Sequence, residues 1–120
     1  MLQAGELTIE VYDMPGKPVR VDFKGKSLHR EPDMVLRPLF ADIMKKASSY
    51  RFGVEMHFEA LEFFNTATIT SVIQFVKDLR IKQIPTMLSY NARHQWQRVF
   101  FDALGMLARN NTTLKIRPVG

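Results

Sequence analysis

The chain passes from a strand into a helix within the stretch Leu61-Glu62-Phe63-Phe64-Asn65-Thr66-Ala67-Thr68-Ile69-Thr70-Ser71. Asn65 is a favourable N-cap residue, because its side-chain oxygen can accept a hydrogen bond from a free backbone N–H of the first helical turn. Four hydroxyl side chains follow within two turns, at Thr66, Thr68, Thr70 and Ser71. Threonine is a poor helix former, so this density of hydroxyls needs a reason.

Two interpretations of these hydroxyls remain open. In the first, they cap the helix and fill its exposed face with polar groups. In the second, the helix start is phosphorylated or senses an anion, because unpaired amides and the helix dipole stabilise negative charge there. A phosphate would add about −1.5 to −2 charges and three acceptor oxygens. The pattern of residues alone favours the first interpretation.

Regular patterns flank this stretch on both sides. Residues 54–58 alternate apolar and polar side chains, which predicts a strand. Residues 59–64 are predicted to link that strand to the helix. Beyond the link, apolar residues recur at helical spacing, at Ile69, Val72, Ile73, Val76 and Leu79.

The N-terminal part predicts an antiparallel hairpin and a helix. Residues 7–12 and 19–24 alternate with a period of two, and Pro15-Gly16 between them suits a type II turn. Apolar residues at helical spacing then predict a helix that ends near residue 48. Pro38 either begins this helix or lies inside one that starts near Asp33.

The C-terminal part predicts a strand over residues 86–90, a third helix and a last strand over residues 114–117. The apolar stripe of the third helix comprises Trp96, Val99, Phe100, Ala103, Leu104 and Leu107. The predicted order is therefore β-β-α-β-α-β-α-β in one domain spanning residues 1–120. Strict alternation after the hairpin indicates an α/β fold with an open mixed sheet that is parallel in part.

Composition excludes several classes of function. The chain has 120 residues, no cysteine and a formal charge of +5, so disulfides and cysteine-ligated zinc are excluded. The first ten residues predict no secretory signal, and no apolar stretch approaches the roughly 20 residues needed to span a membrane. We therefore expect a cytoplasmic location. The basic residues are spread along the chain, which favours a solvated surface over a nucleic-acid groove.

The sequence shows no catalytic constellation. The motifs GxGxxG, GxxxxGK[ST], HExxH and GxSxG are absent. The three histidines, at positions 29, 57 and 94, lie on different predicted elements without metal-ligand spacing. The carboxylates Glu55, Glu59 and Glu62 are explained more simply as polar surface than as an acid–base pair. We expect no enzymatic activity, no metal and no cofactor.

The arrangement resembles a STAS domain, the SpoIIAA-like fold of anti-sigma-factor antagonists. That family has a strand, a short apolar lead-in and an Asp-Ser-Ser-Gly-Leu-like turn that opens a helix. Here the strand at residues 54–58, the lead-in Phe63-Phe64 and the turn Asn65-Thr66-Ala67-Thr68-Ile69 take those places. The serine that family kinases phosphorylate falls at Ala67, which has no hydroxyl, so the usual switch is excluded at that position.

The turn is more similar to that of the SiaC-like branch, small bacterial regulators of cyclic-di-GMP signalling. The turn of that branch resembles Asn-Thr-Ser-Ser-Ile, and Asn65, Thr66 and Ile69 match it. In that branch, the residue that becomes phosphorylated is the threonine that follows the asparagine. The resemblance therefore implies Thr66 as the phosphorylation candidate, and Thr68 is a second candidate. Asn65, Ala67 and Ile69 complete the expected switch loop.

The resemblance implies a regulatory binding protein whose partner is selected by threonine phosphorylation. Its partners would be a kinase, a phosphatase and a regulated effector protein. Two alternatives stay open. One is an unphosphorylated scaffold in a signalling complex, and the other is a basic surface on the last helix, with Arg93, Arg98 and Arg109, that binds nucleic acid. The sequence leaves the oligomeric state and a small-ligand pocket open.

Overall fold

The computed structural model describes residues 2–50, 52–108 and 113–119, without the side chains of Ser49, Tyr50, Leu107 and Ala108. Its strands are β1 (Leu2–Ala4), β2 (Leu7–Tyr12), β3 (Val19–Ser27), β4 (Val54–His57), β5 (Leu61–Phe64), β6 (Thr86–Asn91) and β7 (Leu114–Val119). Its helices are α1 (Asp33–Tyr50), α2 (Thr66–Ile81) and α3 (Gln95–Ala108). The side chain of Leu107 and all of Arg109 therefore lie outside the description.

The strands form one mixed sheet in the order β1-β2-β3-β4-β6-β7, and β5 pairs with the end of β3. The pairs β1–β2 and β2–β3 are antiparallel, and all other pairs are parallel. Gly16 has a φ of 78°, and the N–H of Lys17 donates to the carbonyl of Met14. These features confirm the predicted hairpin and its type II turn.

The structure adds two strands to the predicted order. β1 has only three residues, too few to show a period of two. β5 lies inside the predicted link at residues 59–64, and its two central residues are exposed between buried ends. This burial pattern has no period of two, and the pairing partner of β5 lies about 35 residues earlier in the chain. The alternation of apolar and polar residues in the sequence therefore predicts neither β1 nor β5.

All three helices cover one face of the sheet. Along β3 and β4, buried apolar residues alternate with polar ones, and the buried set packs with the helices in one core. The ring of Phe58 stacks on Phe23 at 4.6 Å and contacts Phe101 of α3 at 5.2 Å. The opposite face of the parallel strands is polar and has no helix over it within the described residues.

The position of Pro38 in α1 and the buried face of α3 are both settled by the structure. Pro38 lies inside α1, which begins at Asp33. In α3 the buried residues are Gln97, Phe101 and Leu104, whereas Val99 is 62% exposed. Trp96 and Phe100 are half-buried, and Ala103 is exposed. The predicted stripe is therefore wrong at Val99 and Ala103 and misses the buried Gln97 and Phe101, because this helix is apolar on more than one side.

Candidate switch site at the start of α2

The strand β5 delivers the chain directly into α2. The N–H of Asn65 donates to the carbonyl of Ser27 at 3.0 Å, which extends the β3–β5 pairing to the last residue before the helix. Asn65 is extended, with φ −77° and ψ 172°, and its Oδ1 accepts the N–H of Thr68 at 3.0 Å. The predicted N-cap is confirmed, and a sheet strand fixes its position.

The side-chain amide of Asn65 forms hydrogen bonds through both its nitrogen and its oxygen. Its Nδ2 donates to the carbonyl of His29 at 2.8 Å, so one side chain caps α2 and anchors the loop that follows β3. An aspartate is also a favourable N-cap, but a carboxylate has no N–H to give to that carbonyl. The hydrogen bond to His29 therefore gives a physical reason why this chain has asparagine at the position where the STAS turn has aspartate.

Thr68 is part of the fold rather than of the surface. It is 3% exposed, and its Oγ1 lies 2.6 Å from Ser27 Oγ and donates to Asn65 Oδ1 at 2.7 Å. A phosphate on this oxygen would have to displace both partners from the interior. Its burial and its two hydrogen bonds therefore weigh against Thr68 as a second phosphorylation candidate.

Thr66 is in the opposite situation. Its side chain is exposed in the first turn of α2, and within the described residues its hydroxyl has no hydrogen-bond partner. Its carbonyl accepts the hydroxyl of Thr70 at 3.0 Å, which leaves Thr70 Oγ1 occupied. Of the two predicted phosphorylation candidates, Thr66 has its hydroxyl exposed and without a hydrogen-bond partner among the described residues, and Thr68 does not.

The difference between the two threonines can be measured by urea denaturation. We expect Thr68→Val to lower the free energy of unfolding by about 1 to 2 kcal/mol, because it leaves the buried Ser27 hydroxyl without this partner. Thr66→Val should change it by less than about 0.5 kcal/mol. Equal losses for both variants would contradict the assignment of Thr68 as the structural hydroxyl.

The other two predicted switch-loop residues face different surroundings. Ala67 is half-buried, and its carbonyl accepts the Ser71 hydroxyl at 3.2 Å. Ile69 is half-buried and lines an open apolar cleft of about 670 Å³ between β5, α2 and α3. The remaining walls of this apolar cleft are Phe63, Phe64, Gln95, Trp96, Val99 and Phe100. Thr66 lies one helical turn before Ile69 on α2 and is not itself among the residues that line the cleft.

Sequence reasoning missed the apolar cleft for two reasons. Its β5 wall was predicted to be a link, and Val99 was predicted to be buried. The exposure of Phe63, at 45%, and of Val99 is the structural signal for it. A cluster of large apolar side chains left open on a small domain is a common mark of a binding surface.

No family model matches the chain, and no curated protein is similar to it by sequence. Solved structures do match. An anti-sigma factor antagonist from Mycobacterium paratuberculosis aligns with a TM-score of 0.65 and 15% identity, over 88% of this chain and 86% of that one. SpoIIAA in its unphosphorylated form aligns with a TM-score of 0.61 and 14% identity, over 91% and 87%.

A third match comes from the complex of the diguanylate cyclase SiaD with its activator SiaC from Pseudomonas aeruginosa. It has a TM-score of 0.65 and 15% identity, and covers 97% of this chain and 96% of the matched chain. The chain has a STAS-like fold. This confirms the predicted fold class, whereas the SiaC-like branch remains a prediction.

In this STAS-like fold, α1 is tied to the first turns of α2. The hydroxyl of Ser71 donates to Oδ1 of Asp33, and Arg37 donates to Oδ2 of the same carboxylate at 3.0 Å. The hydrogen bond from Ser71, followed by that from Arg37 and its charge, holds the pKa of Asp33 below its ordinary value against the opposing effect of burial. The first residue of α1 is thereby bonded to α2 near the switch site.

We expect Ser71→Ala to raise the pKa of Asp33, which an NMR titration of its carboxyl carbon can measure. A lowered folded-state pKa contributes stability above the unfolded value of about 3.9, and that stability is lost as pH falls through the folded-state pKa. The stability difference between wild type and Ser71→Ala should therefore be largest near neutral pH and shrink as the pH falls below the unfolded value and through the lowered pKa of Asp33. Thr70→Ala, whose hydroxyl bonds elsewhere, is the control. An unchanged pKa in Ser71→Ala would contradict the contact.

A serine–histidine–glutamate group lies at the carboxyl end of β4 and β6 in this fold. Ser89 Oγ is 2.7 Å from His57 Nδ1, and Glu59 Oε2 is 3.6 Å from the same nitrogen. A nucleophile relay needs its serine and its carboxylate on opposite nitrogens of the imidazole. The group therefore lacks the geometry of a hydrolase triad. Ser89 is also buried, so a substrate could not reach its hydroxyl.

The described ranges contain no group of three or more side chains that could together hold a metal ion. Over the same ranges, no helix has the length and apolar character required to cross a bilayer.

The basic surface considered for nucleic-acid binding includes Arg93 and Arg98, which are both exposed. Trp96 between them lies against Phe64, with ring centroids 5.0 Å apart, and forms a wall of the apolar cleft.

Proposed function

We propose that this protein is a regulatory binding protein of the STAS type whose choice of partner is controlled by phosphorylation of Thr66. The observation that carries this proposal is the exposed hydroxyl of Thr66, which has no hydrogen-bond partner within the described residues and lies on a helix start held by Asn65. Ile69, one helical turn further along, lines an apolar cleft. The fold is consistent with it, because the matched structures include anti-sigma factor antagonists and a complex containing a cyclase activator.

The chain would be the substrate of the modifying enzymes rather than an enzyme itself. In the phosphorylation step, Thr66 Oγ1 attacks the γ-phosphorus of ATP and forms a new P–O bond. The bond between the γ-phosphorus and the bridging oxygen breaks, ADP leaves, and the hydroxyl proton passes to a base on the kinase. A phosphatase would return the hydroxyl by hydrolysis. Neither reaction requires a metal or cofactor bound by this chain.

The phosphate would act through surface electrostatics. A dianion on a surface that a partner must cover costs several kcal/mol if it is desolvated without a counter-charge. A partner that supplies an arginine at that point would gain affinity instead. The regulated effector would thus distinguish the two forms without a change of fold. By analogy with the matched complex, a diguanylate cyclase is one class of effector to test.

The direct experiment incubates the protein with ATP and a candidate serine/threonine kinase from the same organism, and maps phosphate by mass spectrometry. We expect modification of Thr66 and its loss in Thr66→Ala. The matched control is Thr70→Ala, which removes the hydroxyl of another exposed threonine one turn along α2. Phosphate at Thr70 or elsewhere, with Thr66 unmodified, would refute the proposed switch.

The second candidate function is a constitutive scaffold that is never phosphorylated. Ala67 and Thr68 favour it, because they depart from the hydroxyl and glycine of the family turn. The two functions differ in their response to Thr66→Glu. A scaffold would keep its partner affinity in that variant, whereas a switch would gain or lose affinity.

A further inference from the structure

A second cleft, the α1–α2 cleft, lies between the first two helices. Its volume of about 400 Å³ falls within the roughly 300 to 1,000 Å³ of small-molecule sites. It shares no lining residue with the apolar cleft, and Thr66 does not line it either. A ligand bound here would therefore occupy a site separate from Thr66 and from the apolar cleft.

The floor of the α1–α2 cleft is apolar. The rings of Phe40 and Phe75 are almost fully buried and stack between the two helices, with centroids 4.2 Å apart. Ala41 and Met44 continue this apolar surface along α1. A short hydrocarbon or aromatic group placed against this floor is removed from water, which is favourable roughly in proportion to the apolar area buried.

One end of the α1–α2 cleft is already satisfied by hydrogen bonds within the chain. The carboxylate of Asp33 accepts the Ser71 hydroxyl through Oδ1 and Arg37 through Oδ2. Both of its oxygens therefore have a protein partner, and its charge is paired with a guanidinium. A charged ligand gains little by binding at this end.

The other end of the α1–α2 cleft presents free acceptors. Asp78 is half-buried, and its Oδ1 accepts Nε2 of Gln74 at 3.0 Å. Within the described residues, Oδ2 of Asp78 and Oε1 of Gln74 have no hydrogen-bond partner, and Asp78 forms no ion pair. Lys45 and Lys77 adjoin lining residues in the sequence but do not line the cleft themselves. Because Asp33 and Arg37 cancel, the charge of Asp78 is the one that the lining of this cleft leaves unbalanced.

We infer that the α1–α2 cleft binds a small organic cation, a primary amine or a guanidine on a short apolar body. The cationic group donates hydrogen bonds to Asp78 Oδ2 and Gln74 Oε1, and the body packs against Phe40 and Phe75. An ammonium has three donors and no acceptor, which suits a site whose free groups are acceptors. The chain's charge of +5 opposes a cation at long range. At physiological ionic strength the Debye length is only about 8 Å, so the adjacent carboxylate has the larger effect.

The probe is 2-phenylethylamine, titrated at neutral pH into the full chain while the backbone amide resonances are followed by NMR. We expect saturable shifts at the residues of the α1–α2 cleft, with a dissociation constant on the order of 1 mM for a ligand of this size. The alcohol 2-phenylethanol has the same apolar body with a hydroxyl in place of the ammonium. It should bind at least about tenfold more weakly, because a charged hydrogen bond to the carboxylate is lost.

Two variants locate the cation. Asp78→Asn removes the unbalanced charge and should weaken the binding of 2-phenylethylamine by about tenfold or more. Asp42→Asn removes the same charge from an exposed position on α1 that pairs with Lys46 outside the cleft, and should bind normally. The amide spectrum of each variant checks that it folds.

This inference and the proposed function can fail separately. Absence of saturable shifts, shifts confined to other surfaces, equal affinity for the amine and the alcohol, or equal affinity of Asp78→Asn and Asp42→Asn would each overturn the cation site. Thr66→Ala should bind the amine as wild type does, because Thr66 does not line the α1–α2 cleft. The titration therefore tests this cleft whether or not Thr66 is phosphorylated.

Discussion

Replacing Gln97 by methionine is expected to lower the free energy of unfolding by about 3 kcal/mol, the largest loss from any single polar side chain described above. Gln97 is fully buried. Its Nε2 donates to the carbonyls of Phe58 and Leu61 at 2.9 and 2.8 Å, and its Oε1 accepts the N–H of Asn91 at 2.7 Å. Methionine has a similar volume but satisfies none of these backbone groups.

The variant also tests how the switch site is positioned. Gln97 holds the turn between β4 and β5, and β5 leads directly to Asn65. We expect Gln97→Met to shift the amide resonances of Asn65 and Thr66 in addition to lowering stability. Gln95→Met, on the exposed side of α3, should change stability by less than about 0.5 kcal/mol. A Gln97→Met protein as stable as wild type would contradict the role assigned to these three bonds.

The second large effect is expected for Gly53→Ala, with a loss of about 2 to 3 kcal/mol in the free energy of unfolding. Gly53 has a φ of 89°, and a Cβ at this position would lie 2.3 Å from the carbonyl oxygen of Pro85. That oxygen accepts the N–H of Val54 at 2.9 Å, at the start of the β4–β6 pair. The carbonyl therefore has little room to move away without breaking the register of the two strands.

Gly105→Ala provides the matched control within the same chain. Gly105 lies inside α3, and a Cβ there would meet no atom within 4 Å. Alanine should stabilise this position by about 0.5 to 1 kcal/mol through its helix propensity. Urea denaturation of both variants measures the difference. If both alanines had the same effect, the close approach at Gly53 would not be real.

The parts of the fold that could be predicted from sequence are those governed by local chemistry. The capping by Asn65 and the turn at Pro15-Gly16 each depend on residues a few positions apart, and both are confirmed. The buried residues of α1 also recur at the helical spacing from which this helix is predicted, at Leu36, Phe40, Ile43 and Ala47. In these elements one pattern of side chains permits only one arrangement.

The parts that could not be predicted depend on contacts between distant segments. The role of Gln97 requires loops about 36 to 39 residues earlier in the chain, and a glutamine on a helix gives no sign of such partners. In α3, apolar side chains occur on several sides, so periodicity alone does not identify the buried face. The burial of Thr68 depends on Ser27, 41 residues away, whereas both threonines have the same sequence signature.

The two ends of the strand order have a consequence for behaviour at high concentration. At one end, β1 spans only three residues, and at the other, β7 carries Lys115, Arg117 and Pro118 in six. Short length, charge and proline each discourage a strand of another molecule from adding to a sheet edge. Concentrated samples should therefore resist fibril formation by edge-to-edge addition of strands.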